Sequence, residues 1–434
     1  MPDIHDYLDW RGDIPMTKDN LNEVDNLILC LIAYVNFDGI LPADPTAEGM
    51  TLREAAKEYF FIHKEDEPRP LGLIVPGEIV TLFRRLADTP RFRDLWLTGY
   101  VNEVCTEREM QFSALTVSLP NGGYFTAFRG TDDTLVGWKE DFQLSYLDEV
   151  PAQRKAVHYL DSLPLKDGEV LYVGGHSKGG NLAVWGGIHA SERIRRAIKQ
   201  IYSNDGPGFT EEMIKSEAYQ SMAQRLTFLL PQSSLVGLLL ANDNTYQIVK
   251  SRTLGLFQHN GLSWEVMGSA FIRQDKLSGR GVRTDTVVRE RIDSMSREEK
   301  RAFVEIFFEV LESTGAKTLT ELANGKIKAA STMLKTYQAF DKDKKEMASY
   351  LVGKLFDIRI SKSKEKGKLP SKDEDSQELS VVEEVSMPSL NQEESFDTPT
   401  SVCVDTKANR DKSKIRISPG AIVGMSALPE PKKS

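Results

Sequence analysis

Between residues 171 and 187 the chain reads LYVGGHSKGGNLAVWGG. Gly175, Ser177 and Gly179 stand there at the spacing Gly-x-Ser-x-Gly, after a run of apolar strand formers and before a stretch that reads as helix. A sharp strand-to-helix turn presents a serine hydroxyl at the top of a sheet, and glycines on both sides leave room for it. The chemistry this offers is nucleophilic attack on an acyl carbon. A glycine-rich turn with no reactivity is the plain alternative, and the strand–turn–helix context favours the nucleophile.

A serine hydroxyl needs a base to take its proton. The chain holds six histidines, His5, His63, His158, His176, His189 and His259. In the order Ser, acid, His only the last two follow Ser177. His189 lies twelve residues along the expected helix, roughly 18 Å from the serine at about 1.5 Å per residue, which is out of reach. His259 falls in LFQHNGLSW, after the last clear strand, where a loop can return to the serine. His176 adjoins the nucleophile on the strand side and is read as packing support. For the acid, Asp205 in IYSNDGPGF stands at the end of a strand that follows the serine strand. The alternative is Asp243 in LLLANDNTY, just before a strand and so at the opposite sheet edge if that strand is parallel; Asp205 is preferred. A Ser–His dyad or a site without catalysis remains if neither serves. The oxyanion hole needs two backbone N–H groups. One is that of Lys178, after the nucleophile; the other is that of Thr131, in the loop after the strand YFTAF.

The elements that must position these residues can be read from periodicity. Residues up to 66 are expected to be helical, with NEVDNLILCLIAYV and TLREAAKEYFFIHK showing a 3.6-residue apolar stripe. PGEIVTLFRRLADT reads as a further helix. WLTGYVNEVC, MQFSALTVSL and YFTAFRG read as strands, with PNGG as the hairpin turn between the last two. A helical stretch over about 134–164 is followed by alternating strands EVLYVGG, QIYSND, RLTFLLP and YQIVKS and helices KGGNLAVWGGIHASERIRRAIK and TEEMIKSEAYQSMAQ. Such alternation predicts an α/β fold, a mostly parallel sheet flanked by helices. The expected organisation is an N-terminal helical segment over 1–95, an α/β core over 96–281, C-terminal helices over 282–360 and a disordered tail over 361–434, where Lys, Glu, Ser and Pro dominate.

Composition narrows the function classes. The 434 residues are 40% hydrophobic and 27% charged, ordinary for a globular protein. The formal net charge of −9 gives no pull toward nucleic acid. No apolar run is long enough to span a membrane, although peripheral membrane contact is compatible with the sequence. Three scattered cysteines, Cys30, Cys105 and Cys403, suggest neither a disulfide framework nor a zinc site and suit a reducing compartment. With no secretory leader expected at MPDIHDYLDWRGDIP, the protein is expected to be cytoplasmic. No His/Cys/carboxylate cluster with ligand spacing is visible, so neither metal nor cofactor is expected. Oligomeric state is not legible.

Two stretches carry a family resemblance. Phe128, Arg129, Gly130 and Thr131, with Trp138 and Asp141 a few residues on, and Gly175, His176, Ser177, Gly179 and Gly180 together resemble the class 3 lipases, an α/β-hydrolase family. The opening YLDWRGDIP with NEVDNLIL, GHSKGGN, DGPGF, PQSSLVG and the Gln-His before a Trp is closer still to a bacterial lipase-like α/β-hydrolase family of unknown function, over roughly 1–270. The resemblance implies an α/β-hydrolase fold and a lipase- or esterase-like serine hydrolase acting on acyl esters, lipid esters among them. It also implies an oxyanion role for Thr131 and a structural one for Asp141. The chain departs from class 3 lipases in having Lys178 for Leu, and Ser234 where their acid lies. DGPGF is similar to the acid-bearing segment of pancreatic-type lipases, which favours Asp205. A binding or regulatory protein on a hydrolase scaffold, or an acyltransferase using the same acyl-enzyme, are the competing readings.

Overall fold

The computed structural model describes residues 2–63, 71, 76–234, 236–237, 246–275 and 294–356. Asp243 and the expected tail lie outside the described residues.

Eleven strands are described: β1 (Met50–Thr51), β2 (Trp96–Cys105), β3 (Met110–Ser118), β4 (Tyr124–Phe128), β5 (Leu171–His176), β6 (Ile198–Asn204), β7 (Leu226–Pro231), β8 (Gln247–Val249), β9 (Val266–Met267), β10 (Ala270–Phe271) and β11 (Arg273–Gln274). Nine form one sheet in the order β1-β2-β3-β4-β5-β6-β7-β8-β11. Its centre, from β4 to β8, is parallel. Its two ends are antiparallel, where β1 to β4 form a meander and β11 lies against β8. The mixed sheet follows from connection length. PNGG turns β3 into β4 within a few residues, with Gly122 at φ 89° and Gly123 at φ 90°. Each parallel neighbour instead needs a crossover, and helices provide those between β4 and β7.

Helices cover both faces. The first four are α1 (Ile4–Arg11), α2 (Glu23–Ile32), α3 (Leu52–Ile62) and α4 (Glu78–Asp88). With α1, α2, α3 and α4 begins one apolar core, in which Ile4, Tyr7, Leu27 and Phe83 join Leu115, Val117 and Phe125 of the sheet. Three more helices, α5 (Leu135–Gln143), α6 (Pro151–Asp161) and α7 (Lys178–His189), lie further along. The second core joins Ala156 and Leu160 of α6 and Leu182 of α7 to Phe112, Phe128, Val173 and Ile201.

The expected helix over 134–164 is two helices, because the loop 144–150 turns the chain and Pro151 starts afresh at a helical N1 position, a place proline suits. The expected helix from Lys178 also breaks, at Ala190, and resumes over Glu192–Ala197. Asp161 accepts a bond from the Ser191 N–H at that break. The C-terminal helices Arg297–Glu312, Leu319–Asn324, Lys326–Ala339 and Lys342–Phe356 follow. The first packs on α5, where Phe142 meets Phe307 and Phe308 at ring distances of 6.1 and 5.8 Å. No helix among the described residues is long and apolar enough to cross a membrane.

Candidate active site

Ser177 follows the last residue of β5 and precedes α7, and it is partly exposed. Its backbone sits at φ 59°, ψ −136°. That conformation costs a non-glycine residue about 1–3 kcal/mol, so the surroundings must hold it. The Ser177 N–H donates to Asn204 O at 3.0 Å, and Ser177 O accepts from Gly180 N–H at 2.8 Å. The glycines answer to close approach. A Cβ on Gly175 would stand 1.9 Å from Gly179 O, and one on Gly179 would stand 2.1 Å from Phe128 O. A Cβ on Gly130 would come within 2.8 Å of Ser177 Cβ, so the loop after β4 lies directly against Ser177.

His259 ends a short 3-10 turn, Gly255–His259. Its Nδ1 donates to Asp205 Oδ2 at 2.6 Å. With Nδ1 carrying the proton, the neutral ring presents a bare Nε2, the form a general base needs. Asp205 follows β6, is fully buried and has φ 52°. Its other oxygen, Oδ1, accepts from the Ser234 hydroxyl and from Gly237 N–H at 3.2 Å. Both carboxylate oxygens are therefore engaged, which fixes the plane in which His259 is held. Ser234 is the residue standing where the class 3 lipases place their acid. It supplies a donor to the carboxylate that arrives from β6. Among the described residues the Ser177 hydroxyl makes no hydrogen bond, to His259 or to any other group.

His176 is more than packing support. Its ring lies 4.6 Å from the His259 ring, and its Nε2 donates to the His259 carbonyl at 2.7 Å. Its Nδ1 meets the Tyr34 hydroxyl at 3.1 Å. Burial, and secondarily the nearby His259, push His176 down to about 3, so the ring is neutral at physiological pH. His189 is exposed, stacks on Trp185 at 4.2 Å and binds Trp185 O, away from Ser177.

The backbone N–H groups of Thr131 and Lys178 make no hydrogen bond among the described residues. Their side chains converge on α5. The Thr131 hydroxyl donates to Asp141 Oδ2. The fully buried Lys178 ammonium donates to Glu140 Oε2 at 2.8 Å and to Gln111 O at 2.9 Å, and stands 3.8 Å from Asp141 Oδ1. Glu140, also fully buried, accepts from Gln111 N–H at 3.0 Å and from Ala152 N–H at 2.8 Å. A buried charge persists only when paired and hydrogen-bonded, and here both conditions are met. Asp141 is less well served. Desolvation outweighs the pull of Lys178 and the Thr131 bond, and its carboxyl is raised to about 6.

The match of the family model decides the relationship. It is described as Mbeg1-like and covers residues 86–309. The chain belongs to the Mbeg1-like family. The matched residues of this Mbeg1-like protein include Ser177, His259, Asp205, Lys178 and Thr131, and exclude α1 to α3. Among solved structures, the crystal structure of M37 lipase is similar at 14% identity, covering 49% of this chain and 68% of that one, with a TM-score of 0.30. No curated protein matches. Among the described residues no group of three or more His, Cys, Asp or Glu is placed to hold a metal ion.

Some partners of the site carry no signal in the sequence. Tyr34 lies 142 residues from His176, and Ser234 lies 29 from Asp205. Glu140 and Gln111 are ordinary polar residues until folding encloses them. Lys178, a lysine directly after Ser177 in an otherwise apolar and glycine-rich stretch, is the one signal from which a buried anion nearby could have been inferred.

Proposed function

We propose that this Mbeg1-like protein is a cytoplasmic serine hydrolase that cleaves carboxylic acyl esters, lipid esters among them, through an acyl-enzyme. Ser177 attacks the acyl carbon while His259 Nε2 takes its proton. Asp205 holds His259 in the required tautomer and offsets the charge the ring acquires. The N–H groups of Thr131 and Lys178 receive the oxyanion. His259 then returns the proton to the leaving alcohol, and water hydrolyses the acyl-enzyme by the same route. The observation that carries the reading is the 2.6 Å bond from His259 Nδ1 to a fully buried Asp205, beside a serine held at positive φ. An apolar acyl group is favoured by Leu254 and Phe257, 80% and 78% exposed, on or beside the turn that bears His259.

A fluorophosphonate probe is expected to label the protein at Ser177, and Ser177→Ala to abolish labelling. Labelling that persists in the variant would sink the assignment. The open Ser177 hydroxyl supports a second reading, a binding or regulatory protein on the same scaffold, although such bonds often tighten only with substrate bound. That reading expects an intact fold, no labelling and no change of function in Ser177→Ala. An acyltransferase would label alike and differ in its acceptor, so product analysis with competing alcohols separates it.

A further inference from the structure

Tyr34 lies just beyond α2, outside the residues that the family model matches. Its side chain is buried, and its hydroxyl stands where the oxyanion loop and the base loop come together. The bond pattern there has a fixed polarity. His259 O can only accept, so His176 Nε2 must carry the ring's proton. His176 Nδ1 is then an acceptor, and the group 3.1 Å from it, the Tyr34 hydroxyl, must donate. A Cβ on Gly130 would stand 2.4 Å from the Tyr34 oxygen, so loop and hydroxyl are in direct contact. A run of donors thus leads from Tyr34 through His176 to the main chain of His259, with Gly130 packed against its start. Gly130 immediately precedes Thr131 and presses on Ser177 Cβ.

We propose that Tyr34 is a positioning residue, whose hydroxyl locks the oxyanion loop and the His259 loop into one geometry, so that the N-terminal helical segment completes the active site. The inference rests on the serine-hydrolase reading above. The physical argument is registry. Nucleophile, acid, base and oxyanion donors come from four separate connections of the sheet, and a misplacement of about 1 Å can cost about 100-fold in rate. Phenylalanine at position 34 keeps the ring and its packing. It leaves His176 Nδ1 without this partner in a buried setting and removes the atom against which Gly130 packs, so both loops lose their common anchor.

The test uses the full chain. Labelling of wild type and Ser177→Ala by the fluorophosphonate probe is measured first, and an unlabelled wild type overturns the hydrolase reading itself. With a labelled wild type, Tyr34→Phe is expected to lower kcat on a soluble ester about 10- to 100-fold, with KM within about twofold. His176→Asn is expected to lower kcat as well, and the double variant to be no slower than His176→Asn alone, because both act through one bonded path. Wild-type kcat in Tyr34→Phe overturns the proposal, as do losses that multiply in the double variant. A Tyr34→Phe protein that has lost cooperative thermal unfolding also overturns it, because the hydroxyl would then serve the fold.

Discussion

Replacing Asp205 with Asn would leave an acceptor oxygen and an NH2 group competing for His259 Nδ1, and so permit the wrong tautomer. If the reading is right, Asp205→Asn lowers kcat by about 10³- to 10⁴-fold, with little change in the circular dichroism spectrum. A loss below tenfold in steady-state kinetics would remove Asp205 from the mechanism. Two other residues contribute to the pH response of the fold. His176 has its folded value lowered from 6.5 to about 3. Its contribution to stability is therefore complete above pH 6.5 and is lost as pH falls from there toward 3. Asp141 has its folded value raised from 3.8 to about 6. Its contribution is complete below 3.8 and is lost as pH rises through 6. From pH 7 to 5 the first costs roughly 2 kcal/mol and the second returns roughly 1 kcal/mol. Toward pH 3 the Asp141 gain is exhausted and His176 dominates. Asp141→Asn removes the gain, so the variant is expected to lose about 1 kcal/mol more than wild type between pH 7 and 5. Chemical denaturation at the two pH values measures this, and equal losses in both proteins would refute it.

At the scale of elements, the elbow is a contact between backbones. β5, its turn and the first turn of α7 approach so closely that Gly175 faces Gly179 O and Gly179 faces Phe128 O. No side-chain rearrangement relieves a backbone clash. Gly179→Ala is therefore expected to cost about 3 kcal/mol or more, read as a fall in Tm or in soluble yield, whereas an alanine at Gly168, where a Cβ meets nothing within 4 Å, pays only for its positive φ. The N-terminal helices are held by a different device. Asp25 of α2 and Arg91, which follows α4, form an ion pair with both side chains fully buried. Arg91 also donates to the carbonyls of Ile14, Asp19 and Asn20, and Tyr7 donates to Asp25. Arg91→Met leaves an uncompensated buried carboxylate and is expected to cost about 3–5 kcal/mol. A loss under 1 kcal/mol in urea denaturation would show that water reaches the site.

At the scale of the whole molecule, the sheet has apolar cores on both faces, and one of them is built largely from residues before 86. Leu115, Val117, Phe125 and Ala127 are covered by that segment. A fragment limited to 86–309, the span matched by the family model, is expected to aggregate, since it would expose a contiguous apolar face. Soluble, cooperatively unfolding fragment would show that the helical segment is dispensable for folding. It would not by itself affect the positioning role assigned to Tyr34. The C-terminal helices reach the site's other side. Lys317 O accepts from Leu135 N–H and Asp133 O accepts from Leu319 N–H, both at 2.9 Å, just beyond the loop that holds Thr131.

Local pattern was enough for the elements with clear periodicity. β2 to β8 alternate or run apolar, the turn between β3 and β4 carries a pair of glycines, and the strand–turn–helix at 171–189 reads directly from spacing. His259 emerged from a census of six histidines, because in the order Ser, acid, His only His189 and His259 follow Ser177 and the helix carries His189 away. Other features belong to the tertiary structure. The two-residue strands β1, β9, β10 and β11 have no period to detect. The breaks after Gln143 and at Ala190 depend on what the helices must pack against. The placing of Asp205 against His259, the partnership of Ser234 with Asp205, the burial of Lys178 on Glu140 and the meeting of Tyr34 with His176 join residues 29 to 142 apart. Short-range sequence encodes backbone conformation and burial periodicity. Which polar groups meet in the interior is decided only when sheet order and crossover geometry bring distant loops to one edge.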